Sequence, residues 1–176
     1  MKPTEVLKKE HRAIETMLNI LSVVCDKLQN EEEVNPEHLE RIMDFFKIFA
    51  DKCHHGKEED LLFPALEECG IPKEGGPVGV MLYEHNIGRG YIKEMSEAKQ
   101  DKDKIVENAR NYISLLSQHI QKEDNILFQM ADIHIPEEKQ QKLLIEFERL
   151  EEEKIGKGKH EEFHKLLEEL KKIYLE

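Results

Sequence analysis

Apolar residues recur along this chain at spacings of three and four almost everywhere, and no segment alternates with a period of two. The pattern therefore predicts helices and no strands. Leu7, His11, Ile14, Leu18, Leu21 and Cys25 fall on one stripe of a first helix running from about Thr4 to Gln29, just behind Pro3. Asn35 followed by Pro36 reads as an N-cap and first helical position, opening a second helix that reaches about Cys69. The segment GIPKEGGPVG is the plainest loop, and Pro77 within it begins a third helix ending near Lys99. Asp101 or Asp103 caps a fourth helix reaching about Ile133, and Pro136 starts a fifth. The Gly156-Lys157-Gly158 break precedes a last helix. Short connections between long amphipathic helices favour antiparallel neighbours. The expected fold class is all-α: one domain over 1–176, an up-down-up-down four-helix bundle over about 4–133, and a C-terminal helical extension over about 136–176.

Composition narrows what such a bundle can do. At 176 residues, 39% hydrophobic and 36% charged, the chain can bury a core without disulfide staples. The net charge of −12 makes a poor surface for tracking phosphates, so no nucleic-acid partner is expected. No membrane association is expected either. The longest apolar stretch, Leu18 to Cys25, is too short to span a bilayer and is interrupted by Asn19 and Ser22. The leading MKPTEVLKKEH lacks the apolar core of a signal peptide. Three cysteines with no CxxC spacing suit a reducing cytoplasm.

The chain also contains an internal duplication. HHGKEEDLLF, from His54 to Phe63, aligns without gaps on HIQKEDNILF, from His119 to Phe128. Upstream of each, EHRAIE (from Glu10) and EHNIGR (from Glu84) place a His early in helices one and three. The bundle thus reads as two hairpins, each carrying one early His and one late HxxxE.

A His and a Glu four residues apart project from the same helix face. From His11 to the turn near Asn30 is 19 residues, and from Pro36 to His54 is 18. From His85 to Lys99 is 14, and from Asp103 to His119 is 16. At about 1.5 Å per residue the outgoing and returning distances nearly cancel, so all six side chains arrive at one level. Buried imidazoles and carboxylates without a cation carry a large desolvation cost. A structural zinc takes four ligands, often thiolates. Four imidazoles and two carboxylates better suit two iron ions bridged by Glu58 and Glu123. In that count a fifth His leaves one position open, where a small diatomic ligand can bind.

These residues resemble the hemerythrin-like family, also called the HHE cation-binding domain. The resemblance rests on the order H…HxxxE…H…HxxxE and covers roughly Thr4 to Ile133. It implies a four-helix bundle with a non-haem di-iron centre, manganese or zinc being the alternative metals. The ligands it implies are His11, His54, Glu58, His85, His119 and Glu123. The implied partners are small ligands (oxygen, nitric oxide or hydrogen peroxide), with a redox or signalling protein to receive any output. Such a protein acts as a sensor, a binder or a detoxification protein, and as a di-iron oxidoreductase if it turns over. Two departures from the oxygen-carrying hemerythrins argue against simple oxygen carriage. Arg89 stands where those have a second third-helix His, and Glu123 has its own spacing where they end the fourth-helix motif with Asp one residue later.

His55 to Glu59 is a second HxxxE in an overlapping register. The duplication and the helical phase of Phe46, Ala50, His54, Leu61 and Ala65 both select His54, leaving His55 at the edge as a group supporting a ligand. HEEFH, from His160 to His164, matches the HExxH zinc-hydrolase motif, but lacks the context such an enzyme needs. His160 shares a stripe with Phe163, Leu167, Leu170 and Tyr174. It reads either as a residue at a packing seam or as a fifth His folding back onto the metal site. It is therefore carried as a candidate ligand. The remaining alternative is a metal-stabilised interaction module without redox activity.

Overall fold

The computed structural model describes residues 1–176, and its regular structure is entirely helical. α1 is Pro3–Gln29, α2 covers residues 36–68, α3 is Pro77–Glu97 and α4 covers residues 102–134. These four form an up-down-up-down bundle. α5 (Glu137–Lys154) and α6 (Lys159–Tyr174) come next in the chain, α6 lying along α1. The punctuation acts through specific groups. The Asn35 side chain accepts the Glu37 N–H at 3.0 Å and caps α2. Asp101, not Asp103, caps α4 by accepting the Lys104 N–H at 3.2 Å. Gly156 and Gly158 separate α5 from α6 with φ of 87° and 84°, a left-handed backbone that favours glycine.

The α1 stripe is buried from end to end, Leu7, His11, Ile14, Leu18, Leu21 and Cys25 all facing inward. In α2 the expected face is kept at Phe46, Ala50, His54 and Ala65, but Leu62 is buried in place of Leu61. The reason lies in the backbone. Phe45–His55 and Glu58–Leu62 are π-helical, as is Glu123–Leu127 of α4. A π-helical turn closes i to i+5 and is wider than an α turn, so it shifts the phase of the residues beyond it.

The core is split into two apolar clusters. One gathers Ile14, Leu21, Phe45, Phe46, Phe49 and Tyr112, with Phe163 of α6. The other gathers Leu7, Leu62, Phe63, Leu127 and Phe128, with Phe147 of α5. Between them lies a layer of buried polar side chains from all four bundle helices. No helix is long and apolar enough to cross a membrane.

Candidate metal centre

Seven side chains form the middle of that layer. The ligand atoms of His11, His54, Glu58 and Glu123 lie within 4.8 Å of one another. So do those of His55, Glu58, His85 and His119, and Glu58 belongs to both groups. Its Oε2 stands 3.6 Å from His54 Nε2 and its Oε1 3.2 Å from His85 Nε2. Glu123 Oε1 likewise reaches both sides, at 3.3 Å from His11 Nε2 and 3.0 Å from His119 Nε2. Both carboxylates begin a π-helical turn.

Every imidazole is oriented the same way. His11 Nδ1 lies 2.7 Å from Asp124, His54 Nδ1 2.9 Å from Glu10, and His55 Nδ1 3.0 Å from Asp51. His85 Nδ1 lies 2.7 Å from Glu59, and His119 Nδ1 2.9 Å from Glu84. An ionised carboxylate only accepts, so each Nδ1–H donates and each Nε2 turns inward. Cations hold the carboxylates from behind: Lys57 on Glu10, Lys122 on Glu84, Arg12 on Asp124 and Arg89 on Glu59.

The inward-facing atoms lack partners. His11 Nε2, His54 Nε2 and all four carboxylate oxygens of Glu58 and Glu123 are buried with no hydrogen bond. His85 Nε2 and His119 Nε2 stand 3.1 Å apart, a contact between lone pairs unless a proton or cation lies between them. Burial and the facing Glu123 carboxylate push the Glu58 carboxyl well above its usual range. Glu123, against its own burial, is held well below it by His119 and His11. Burial lowers His54 to about 4, against the pull of Glu10, so this ring is neutral at pH 7. Buried unsatisfied groups of this kind are costly, and two cations would satisfy all of them at once. The donor set, imidazole and carboxylate without thiolate, fits divalent transition metals.

The structure brings together His11, His54, Glu58, His85, His119 and Glu123, as the duplication predicts. It adds His55, expected at the edge. The wide π-helical turn over Phe45–His55 lets two successive side chains face inward, so His54 and His55 enter different groups. The His55 ring stacks on His85 with centroids 3.8 Å apart. Arg89 also finds its reason, because its Nε donates to Asp51 at 2.9 Å, the carboxylate that orients His55.

His160 is not brought into either group. The Glu10 carboxylate stands between α6 and His54, with His160 Nε2 3.6 Å from Glu10 and from Glu151. His164 joins none of the groups that could hold a metal, and it and Glu161 of HEEFH are exposed. His38 meets the Tyr174 hydroxyl at 2.7 Å, away from the centre.

A helical bundle with two overlapping His–carboxylate groups at its middle defines a cation-binding protein of the four-helix class. The hemerythrin HHE cation binding domain matches residues 2–131, well over half of the chain. The chain belongs to that family. No curated protein and no solved structure matches it.

Proposed function

We propose that this protein holds two iron ions and binds or reacts with a small ligand such as oxygen, nitric oxide or hydrogen peroxide. The observation that carries the reading is the pair of four-residue groups sharing Glu58, whose inward atoms have no partner within the protein. His11 and His54 would serve one ion, His55, His85 and His119 the other, with Glu58 and Glu123 bridging. Two octahedral ions offer twelve positions. Five imidazoles, two carboxylates shared by both ions and one shared solvent oxygen would fill eleven, and the remaining position would fall on the side of His11 and His54. Iron bound there would supply reversible ligand binding or redox chemistry.

The protein's own residues do the rest. The Nδ1–carboxylate pairs fix each imidazole in the tautomer that presents Nε2. The two apolar clusters exclude bulk water, and Phe128 stacks on the His11 ring at 5.3 Å. Three free cysteines, two of them buried, support a reducing cytoplasm as the compartment. The test is an absorption spectrum of anaerobic iron-loaded protein before and after oxygen, nitric oxide or azide. New near-ultraviolet charge-transfer bands are expected, reversing when a bound ligand is removed or giving way to peroxide consumption if the centre turns over. A spectrum unmoved by all three ligands would refute the proposal.

A further inference from the structure

α2 and α3 touch only sparingly beside the metal layer, and between them lies a cleft of about 480 Å³ floored by α4. Its floor is apolar and buried: Phe46 from α2, Gly88 and Ile92 from α3, Tyr112 and Leu116 from α4. Gly88 keeps that floor low. A Cβ there would stand 3.4 Å from Tyr112 Cε1, and a longer side chain would enter the cleft. The inner end is closed by the Asp51–Arg89 pair, with His55 and His85 behind it.

The rim differs in character from the rest of the chain. Lys47, Lys52 and Lys93 line it, all exposed, and none is paired with a carboxylate. Of the acids there, Asp51 is held by Arg89 and Glu84 by Lys122, which leaves Glu97 uncommitted. Three free cations around an apolar floor, on a protein of net charge −12, form a local reversal of sign. The volume is typical of a site for an organic molecule and far exceeds what a diatomic gas needs.

We propose that this cleft binds a medium-chain organic monocarboxylate, its carboxylate on Lys47, Lys52 and Lys93 and its tail on the apolar floor. The site stands on these residues and not on the metals. A protein found to hold no iron would sink the metal reading and leave this one to be decided by its own titration.

The experiment is calorimetric titration of the full chain with octanoate and, separately, with the uncharged octanamide, iron content being measured on the same preparation. Saturable binding of one octanoate per chain is expected, with octanamide about tenfold weaker, the sum of three exposed ion pairs. The triple variant K47A/K52A/K93A, altered only at exposed positions, should lose the same factor for octanoate and none for octanamide. Gly88→Leu should abolish binding of both. If Gly88→Leu fails to fold, the lysine variant decides. Absence of saturable octanoate binding, equal affinity for octanamide, or an unaffected triple variant would each overturn the proposal.

Discussion

The two hairpins are built to the same plan and differ at one turn. In each, a Glu-His pair opens the outgoing helix and an HxxxE followed by a second acid lies on the returning one: Glu10-His11 with His54, Glu58 and Glu59, then Glu84-His85 with His119, Glu123 and Asp124. Glu10 and Glu84 each orient the returning-helix His of their own hairpin, whereas Glu59 and Asp124 reach across to the early His of the other. Even the outer cations correspond, Lys57 on Glu10 and Lys122 on Glu84. The difference is that the first hairpin approaches its HxxxE through the π-helical Phe45–His55, whereas the second arrives as a regular α-helix. His55 faces inward as a result, and Ile120, its counterpart, packs in the core. One duplicated scaffold thus yields two unequal halves, one with two imidazoles and one with three. On the proposed reading, that inequality is what would leave a position for a small ligand on the side of His11 and His54.

The largest effect expected is at the shared carboxylates. Glu58→Ala or Glu123→Ala should remove both ions, read as metal per chain by elemental analysis. Retention of two ions by either variant would break the bridging assignment. A narrower test makes the hairpins alike. His55→Ile copies the second hairpin and should weaken the hold of the three-imidazole group on its one ion, lowering the content toward one per chain. His160→Ala removes a contact to Glu10 and Glu151 and no inward-facing group, and should keep two, with about a tenfold loss of affinity.

The outer cations separate the halves by burial. Lys57 is 2% exposed, beneath α5 and between Glu10 and Glu151, whereas Lys122 is 41% exposed. Lys57→Met removes the cation from the buried Glu10 carboxylate and should cost about 3–5 kcal/mol in urea unfolding. Lys122→Met should cost less than about 1 kcal/mol. Equal losses would mean that the C-terminal helices do not make the halves inequivalent.

Titration gives the finest contrast. Burial lowers His11, but Asp124 and Glu123 raise it further, to about 9. Its counterpart His85 is pushed well below the usual range by burial and by His55. In the metal-free chain, then, His11 carries a proton at pH 7 and His85 does not, and metal uptake must expel the His11 proton. Affinity for a divalent ion should rise about tenfold per pH unit for that proton, levelling off near pH 9. In His11→Gln this part of the slope should vanish. In His85→Gln it should remain.

Much of this was legible in the residues. Helical period and the turn signals at Asn35-Pro36, Pro77, Asp101 and Gly156–Gly158 locate the helices, because caps and glycine turns act locally. The duplication marks six of the seven inward groups, because spacing along antiparallel helices converts directly into height. His55 was hidden for a specific reason: a period of 3.6 puts the residue after an inward His at the edge, and nothing in Phe45–His55 announces a π turn. Four of the five orienting carboxylates, all but Asp51, were in view within the quoted repeats, as the Glu before each early His and the acid after each HxxxE. Their recurrence in both halves was the available signal. Their partners lie on other helices, so only the assembled bundle reveals the pairing. The place of His160 depends on how α6 docks on Glu10, which no local pattern encodes.

The most direct test of the central claim is the number of iron ions per chain in protein purified and loaded anaerobically. Two ions per chain, both lost on Glu58→Ala, is the result the two overlapping groups predict. A single ion per chain, or a zinc retained unchanged when Glu58 is removed, would contradict the shared centre.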